Sequence, residues 1–264
     1  MNALLGSPED VTPTGPLRRI GLRVFVLAEC TSTNDVALSE WEAPRDGDVI
    51  FSEHQTRGRG RLGRDWVAPR GASVLCSVRL LVARDRTPWA RLSLAAGIGV
   101  HEAIRQATNV PATLKWPNDV VVGSRKIAGV LIETSPRAGG ITLVTVGVGI
   151  NCLQHRGHFP SELAESATSL DLESDQPIDR RGVARRLIAS LDRWLDPQVL
   201  EDRRHLREQW CRRGQTIGSR VRLRSHGKVY AGVVVDLDSD AGILVALDEG
   251  AQRLFCPLTT STVG

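Results

Sequence analysis

Four arginines and three glycines crowd into the ten residues Arg57-Gly58-Arg59-Gly60-Arg61-Leu62-Gly63-Arg64-Asp65-Trp66. Glycine has no Cβ, so the backbone there can take positive φ and approach a ligand closely. Each guanidinium offers a planar fork of donors suited to phosphate or carboxylate oxygens. A loop that couples close backbone amides to several guanidiniums is suited to surrounding a small anion. Two other readings stay open on these residues alone: a solvated basic turn, and an arginine-glycine tract for RNA. Such tracts are usually repeated, whereas this one occurs once, follows an expected strand and ends in Asp65-Trp66.

The lysines form a second cluster. Of 34 basic residues 31 are arginine, and two of the three lysines, Lys115 and Lys126, fall within twelve residues. Both are therefore candidates for ammonium groups with a chemical task. In Lys115-Trp116-Pro117-Asn118-Asp119, the proline constrains itself and Trp116, fixing a cation and an anion on either side of a turn. Asn118 and Asp119 equally suit ordinary turn chemistry. Gly147-Val148-Gly149-Ile150-Asn151 ends an apolar strand, with room beside the glycines for a close ligand and an amide at the strand's carboxyl end. Thr31-Ser32-Thr33-Asn34 reads first as a helix cap. His54 and His101 have no metal-like companions and no Ser-His-Asp arrangement is readable, so no metal site is expected.

These groups need a scaffold. Strands are expected over 20–27, 48–52, 73–81, 120–122, 127–133 and 141–150, with Val74, Cys76, Val78 and Leu80 sharing one face. A helix should open at Thr87-Pro88 and carry Leu92, Ala95, Ala96, Gly99, Val100, Ala103 and Ile104 at helical spacing. A short helix should follow residue 34 and end near Trp41, and two longer ones should cover 179–195 and 197–213. Residues 1–19 lack a period and read as a mobile arm. Residues 20–213 read as the main domain. After Gly214, short alternating strands between glycine-containing turns indicate a small β-barrel over 214–264.

Composition excludes little but frames the rest. The net charge of +4 does not demand a nucleic-acid partner. No apolar run approaches the ~20 residues that span a bilayer, and no signal peptide is recognisable. Five widely spaced cysteines without a CxxC pair read as reduced thiols, so a cytoplasmic location is expected.

The order of the motifs is similar to that of the biotin protein ligases: Ser32-Thr33-Asn34, Gln55 with the glycine-arginine loop, Lys115-Trp116-Pro117-Asn118-Asp119, Lys126-Ile127-Ala128-Gly129, Gly147 to Asn151, and Ala167-Thr168-Ser169-Leu170. The resemblance covers roughly residues 22–255. It implies an α+β fold, a mixed sheet flanked by helices like class II tRNA-synthetase catalytic domains, with a carboxyl-terminal Src-homology-3-like barrel. It implies that biotin and ATP, carried with Mg2+, form biotinyl-5′-AMP, and that biotin then passes to a lysine of a carrier domain of acetyl-CoA or related carboxylases. By resemblance, Lys126, Arg61, Arg59 and Asp119 serve the chemistry. Ser32, Thr33, Asn34, Gln55, Gly58, Gly60, Gly147 and Gly149 join Arg59, Arg61 and Lys126 around biotin. Arg59, Arg61, Arg64, Trp66, Lys115, Asn118 and Asn151 serve ATP or the adenylate.

The loop is expected to be mobile until ligand arrives, because four unpaired cations repel one another. About 20 leading residues are too few for the winged helix of the family's regulatory branch. A monofunctional ligase is therefore expected, with no nucleic-acid or membrane partner, as a monomer or weak homodimer. The tail from Cys256 to Val263 departs from the family's terminus, which puts a barrel contact to ATP in doubt. Two rivals are a lipoate- or octanoyl-transferring enzyme and an RNA-binding module; the first lacks this arginine loop, and the second leaves Lys126 and the 147–151 strand end unexplained.

Overall fold

The computed structural model describes residues 4–83 and 89–263. Strands are β1 (Val24–Leu27), β2 (Val49–Ser52), β3 (Ser73–Ala83), β4 (Thr113–Lys115), β5 (Asp119–Val122), β6 (Arg125–Pro136), β7 (Ile141–Asn151), β8 (Arg220–Ser225), β9 (Lys228–Asp238), β10 (Gly242–Leu247), β11 (Gln252–Phe255) and β12 (Thr260–Thr262). Helices are α1 (Pro8–Val11), α2 (Thr33–Leu38), α3 (Trp89–Ala107), α4 (Leu170–Glu173), α5 (Arg180–Trp194), α6 (Pro197–Glu201) and α7 (Arg203–Arg213).

The first seven strands form one mixed sheet in the order β1-β2-β3-β7-β6-β5-β4, parallel only between β1 and β2. Strand period sorts its two faces. Val74, Cys76, Val78 and Leu80 of β3 and Val144, Val146, Val148 and Ile150 of β7 are buried in the core that α3 and α5 cover. The alternate residues are different in kind. Ser73, Leu75, Ser77 and Arg79 pair with Asn151, Gly149, Gly147 and Thr145, and this opposite face of β7 is paired in turn with Gly129, Leu131 and Glu133 of β6. That second face is the floor of the site.

The last five strands form a separate antiparallel sheet, β11-β10-β9-β8-β12, consistent with the expected small barrel. The chain leaving α7 passes close to β4 at Gly214, where a Cβ would lie 2.4 Å from the Leu114 carbonyl oxygen.

Three expectations change. Residues 4–19 are docked: Leu5 and Val11 are wholly buried, and Arg181 and Arg185 of α5 bond to Asp10. The helix expected over 197–213 is broken at Asp202, whose ψ of 80° ends α6 while its carboxylate accepts from the His205 amide and starts α7. The short helix stops at Leu38, because the buried Arg79 guanidinium captures the carbonyls of Val36, Ala37 and Trp41. The expected helix opening at Thr87-Pro88 lies outside the described residues; α3 is described from Trp89.

Candidate active site

The glycine-arginine loop folds back on itself as a narrow hairpin. The Trp66 amide donates to Gly58 O at 3.0 Å and the Gly60 amide to Arg64 O at 2.6 Å. Leu62 and Gly63 turn it with φ of 56° and 74°. The hairpin lies over the glycine-bearing face of β6 and β7. A Cβ at Gly149 would sit 2.5 Å from the Trp66 ring, and one at Gly129 would sit 2.9 Å from Lys126 Nζ. These glycines are flat floor for an indole and an ammonium.

Two residues along β7, the floor at Gly147 carries a different cluster. A Cβ there would meet the Asn34 amide at 2.5 Å. Ser77, fully buried, bridges Thr33 Oγ1 at 2.7 Å and Asn34 Oδ1 at 2.6 Å. Gln55 Oε1 accepts from both the amide and the hydroxyl of Thr33, at 2.7 and 2.9 Å. With that oxygen occupied, the Gln55 NH2 donors remain for a ligand. Ser32 does take the N-cap position of α2, but its side chain makes no capping bond, and Ser32, Thr33 and Asn34 line the cavity.

Lys126, Arg59 and Arg61 each lie near a carboxylate or a carbonyl. Lys126 Nζ lies 2.6 Å from Asp119 Oδ1 and 5.6 Å from the Trp66 ring centroid. That approach is an ion pair without hydrogen-bonding geometry, because Asp119 Oδ1 is buried with no hydrogen bond. Arg59 contacts Asp35 at 2.7 Å and Glu133 at 2.9 Å, and the Glu133 bond raises its pKa further. Arg61 donates to Asn118 Oδ1 at 2.9 Å, to Thr260 O at 3.0 Å and to Pro257 O. Burial lowers the Arg61 pKa, against the pull of Asp119. Of the four cations expected to repel one another, Arg59 is paired with carboxylates and Arg61 is bonded within the chain, while the charge of Arg64 still opposes that of Arg61. The atypical tail does reach the loop, through Arg61.

Twelve of the expected residues converge on one cavity of about 450 Å³, its open mouth included: Ser32, Thr33, Asn34, Gln55, Arg59, Gly60, Arg61, Trp66, Asn118, Lys126, Gly147 and Gly149. Five do not line it. Asp119 stands behind Lys126 as its ion partner. Gly58 lines a groove on the loop's other side. Arg64 is exposed outside the cavity. Lys115 lines a cleft between β4, β5 and the small sheet. Asn151 is spent internally, donating to Thr168 O at 2.9 Å and accepting from Gln154 at 2.9 Å. Sequence reasoning missed Ser77, Glu133 and Asp35. The signal for Ser77 was parity on β3; for the two carboxylates no local signal exists.

Residues 26–151 match the Biotin/lipoate A/B protein ligase family. Over 243 residues the chain is 38% identical to a biotin–[acetyl-CoA-carboxylase] ligase of Mycobacterium tuberculosis, covering 87% of this chain and 84% of that protein. A bifunctional ligase/repressor of Bacillus subtilis is 27% identical over 247 residues, 90% of this chain and 75% of its own length. The solved biotin protein ligase of Aquifex aeolicus in complex with biotin and ATP superposes with a TM-score of 0.76 at 28% identity, covering 92% of this chain and 99% of that one.

Proposed function

The chain belongs to the Biotin/lipoate A/B protein ligase family, and from that membership we propose the biotin protein ligase reaction with the cavity over Gly147 and Gly149 as its site. The carrying observation is the two-level floor. Hydroxyl and amide groups gather at Gly147, and an ammonium with an indole gathers at Gly149 and Gly129. The levels are two residues apart on β7, roughly 7 Å at strand rise. A ligand with a neutral hydrogen-bonding head and a carboxylate tail matches that spacing of chemistry.

In the first half-reaction the biotin carboxylate oxygen attacks the α-phosphorus of ATP, and pyrophosphate leaves. Lys126 is the ammonium that aligns the carboxylate and offsets negative charge on the phosphoryl oxygens, by position and electrostatics. Arg61 supports the nucleotide side of the cavity, and Arg64 outside it meets the departing pyrophosphate. Mg2+ would arrive on the triphosphate and supply charge neutralisation there. In the second half-reaction a neutral lysine amine of a carboxylase carrier domain attacks the biotinyl carbonyl carbon, and AMP leaves. Asp119, 2.6 Å from Lys126, is the candidate acceptor of the amine's proton. The five free thiols support the reducing cytoplasm as the place of reaction. Among the described residues no helix is long and apolar enough to cross a membrane.

The test is ATP–pyrophosphate exchange by the purified protein with biotin, lipoate or octanoate in parallel. Exchange with biotin alone is expected. Absence of biotin-dependent exchange, or equal exchange with lipoate, would overturn the reading.

A further inference from the structure

Every nitrogen of the Arg59 guanidinium faces a carboxylate of this chain. Nη1 lies 2.7 Å from Asp35 Oδ1, and Nε and Nη2 lie 3.3 and 2.9 Å from Glu133 Oε1 and Oε2. The same Glu133 Oε2 accepts from Asn34 Nδ2 at 2.7 Å. Asp35 in turn accepts from Thr31 at 2.9 Å. Both partners of Arg59 are anchored, one on the first turn of α2 and one on β6. A bidentate fork of this kind fixes orientation as well as charge. With both carboxylates in place, three of its five N–H donors are engaged and its charge is offset, which weakens its pull on a phosphate.

We propose that Arg59, Glu133 and Asp35 form a clamp that holds the glycine-arginine hairpin on the cavity floor, with Glu133 a positioning residue that also fixes the Asn34 amide. The proposal rests on the biotin ligase reading and divides the loop's labour. Arg59 is the tether, and the phosphates are left to Lys126, Arg61 and Arg64. The link from loop to pocket is continuous: Arg59 to Glu133, Glu133 to Asn34, Asn34 to Ser77, Ser77 to Thr33, and Thr33 to Gln55. Loosening the clamp therefore disturbs the head of the ligand first, although Arg59 is an arginine in a phosphate-type loop.

The test is a double-mutant cycle on Arg59→Gln and Glu133→Gln, read by exchange kinetics and by trypsin cleavage after Arg61 and Arg64 without ligand. Each single variant is expected to raise the KM for biotin about tenfold while the KM for ATP changes less than about twofold. The double variant should be no worse than the poorer single one, as expected of groups that act as a unit. Cleavage should be faster by about fivefold or more in all three, because the loop opens locally. Additive losses, an ATP-selective defect in Arg59→Gln, or unchanged cleavage would overturn the clamp. Asp35→Asn probes the same fork through Nη1 and decides the question should Glu133→Gln fail to fold. Cleavage needs no activity, so wild-type protein lacking biotin exchange would sink the functional reading and leave the clamp to be judged separately.

Discussion

Gly129 stands directly opposite Gly149 on neighbouring strands, and the Trp66 indole lies against both. A methyl group on Gly149 would come within 2.5 Å of ring atom Cε2, so the ring has to leave its place. Gly149→Ala should fold, since the backbone there is ordinary strand. Displacing the ring should cost about tenfold or more in biotin-dependent exchange, as overpacking shifts the neighbouring side chains. Tryptophan fluorescence should change in the same variant; an unshifted spectrum with normal exchange would contradict the packing.

Among the described residues Lys126 is the sole ammonium lining the cavity, and its removal deletes a charge at the proposed reacting centre. Lys126→Ala should reduce adenylate formation by roughly 100-fold or more, the scale for losing a preorganised electrostatic contact. Its thermal midpoint should stay near that of the wild type, because the side chain is partly exposed where it rests over Gly129 beside Asp119 and Trp66. Single-turnover formation of biotinyl-AMP measures the step directly.

Arg79 and Asp48 form a buried pair, 0% and 1% exposed. Burial pushes the Asp48 carboxyl up, but bonds from Arg23, the Arg45 amide and Arg79 bring it below its usual range. Replacing Arg79 with Met leaves Asp48 paired with Arg23 and the Arg45 amide but frees the buried carbonyls at the end of α2. A loss of about 1–3 kcal/mol is expected, the scale for buried polar groups left without a partner. Urea unfolding measures it. Biotin binding should weaken as well, since α2 carries Thr33 and Asn34.

His101 links stability to pH. Its Nε2 meets Ala112 O at 3.0 Å and its Nδ1 is buried without a partner, so a second proton has nowhere to bond. Burial holds its pKa down at about 4, helped by Arg213 and Arg105. The unfolded chain therefore binds this proton at higher pH than the folded one. Stability from the neutral ring is full above about pH 6.5 and is lost as pH falls towards 4, by about 3 kcal/mol in all. His101→Gln should flatten that part of the profile in melts recorded between pH 7.5 and 4.5.

Much of the scaffold was legible because its patterns are local. Alternation marked β3, a continuous apolar run marked β7, and the stripe from Leu92 to Ile104 marked α3. The loop, Lys126 and the 147–149 glycines were legible as residue types whose chemistry is unusual for their position. What escaped depends on distant partners. Arg59 meets Glu133 across 74 residues of chain, so nothing near either predicts that the cation is already neutralised. Lys115 and Asn151 sit in motifs with active-site character, yet the hairpin and the strand end turn them elsewhere. Ser77 falls on the polar half of β3, where the same alternation that turns Val78 to the core puts Ser77 on the floor. Leu5 and Val11 are too few to form a period, so their docking could not be read.

Arg61 emerges early in synthesis, but the Thr260 carbonyl that accepts from it follows 199 residues later. A nascent chain can complete most of the large sheet while that acceptor has yet to be made. Closing so long a loop is slow compared with forming local contacts. Catalytic competence should therefore appear after the helices and central strands in a refolding time course, making turnover a late reporter of maturation.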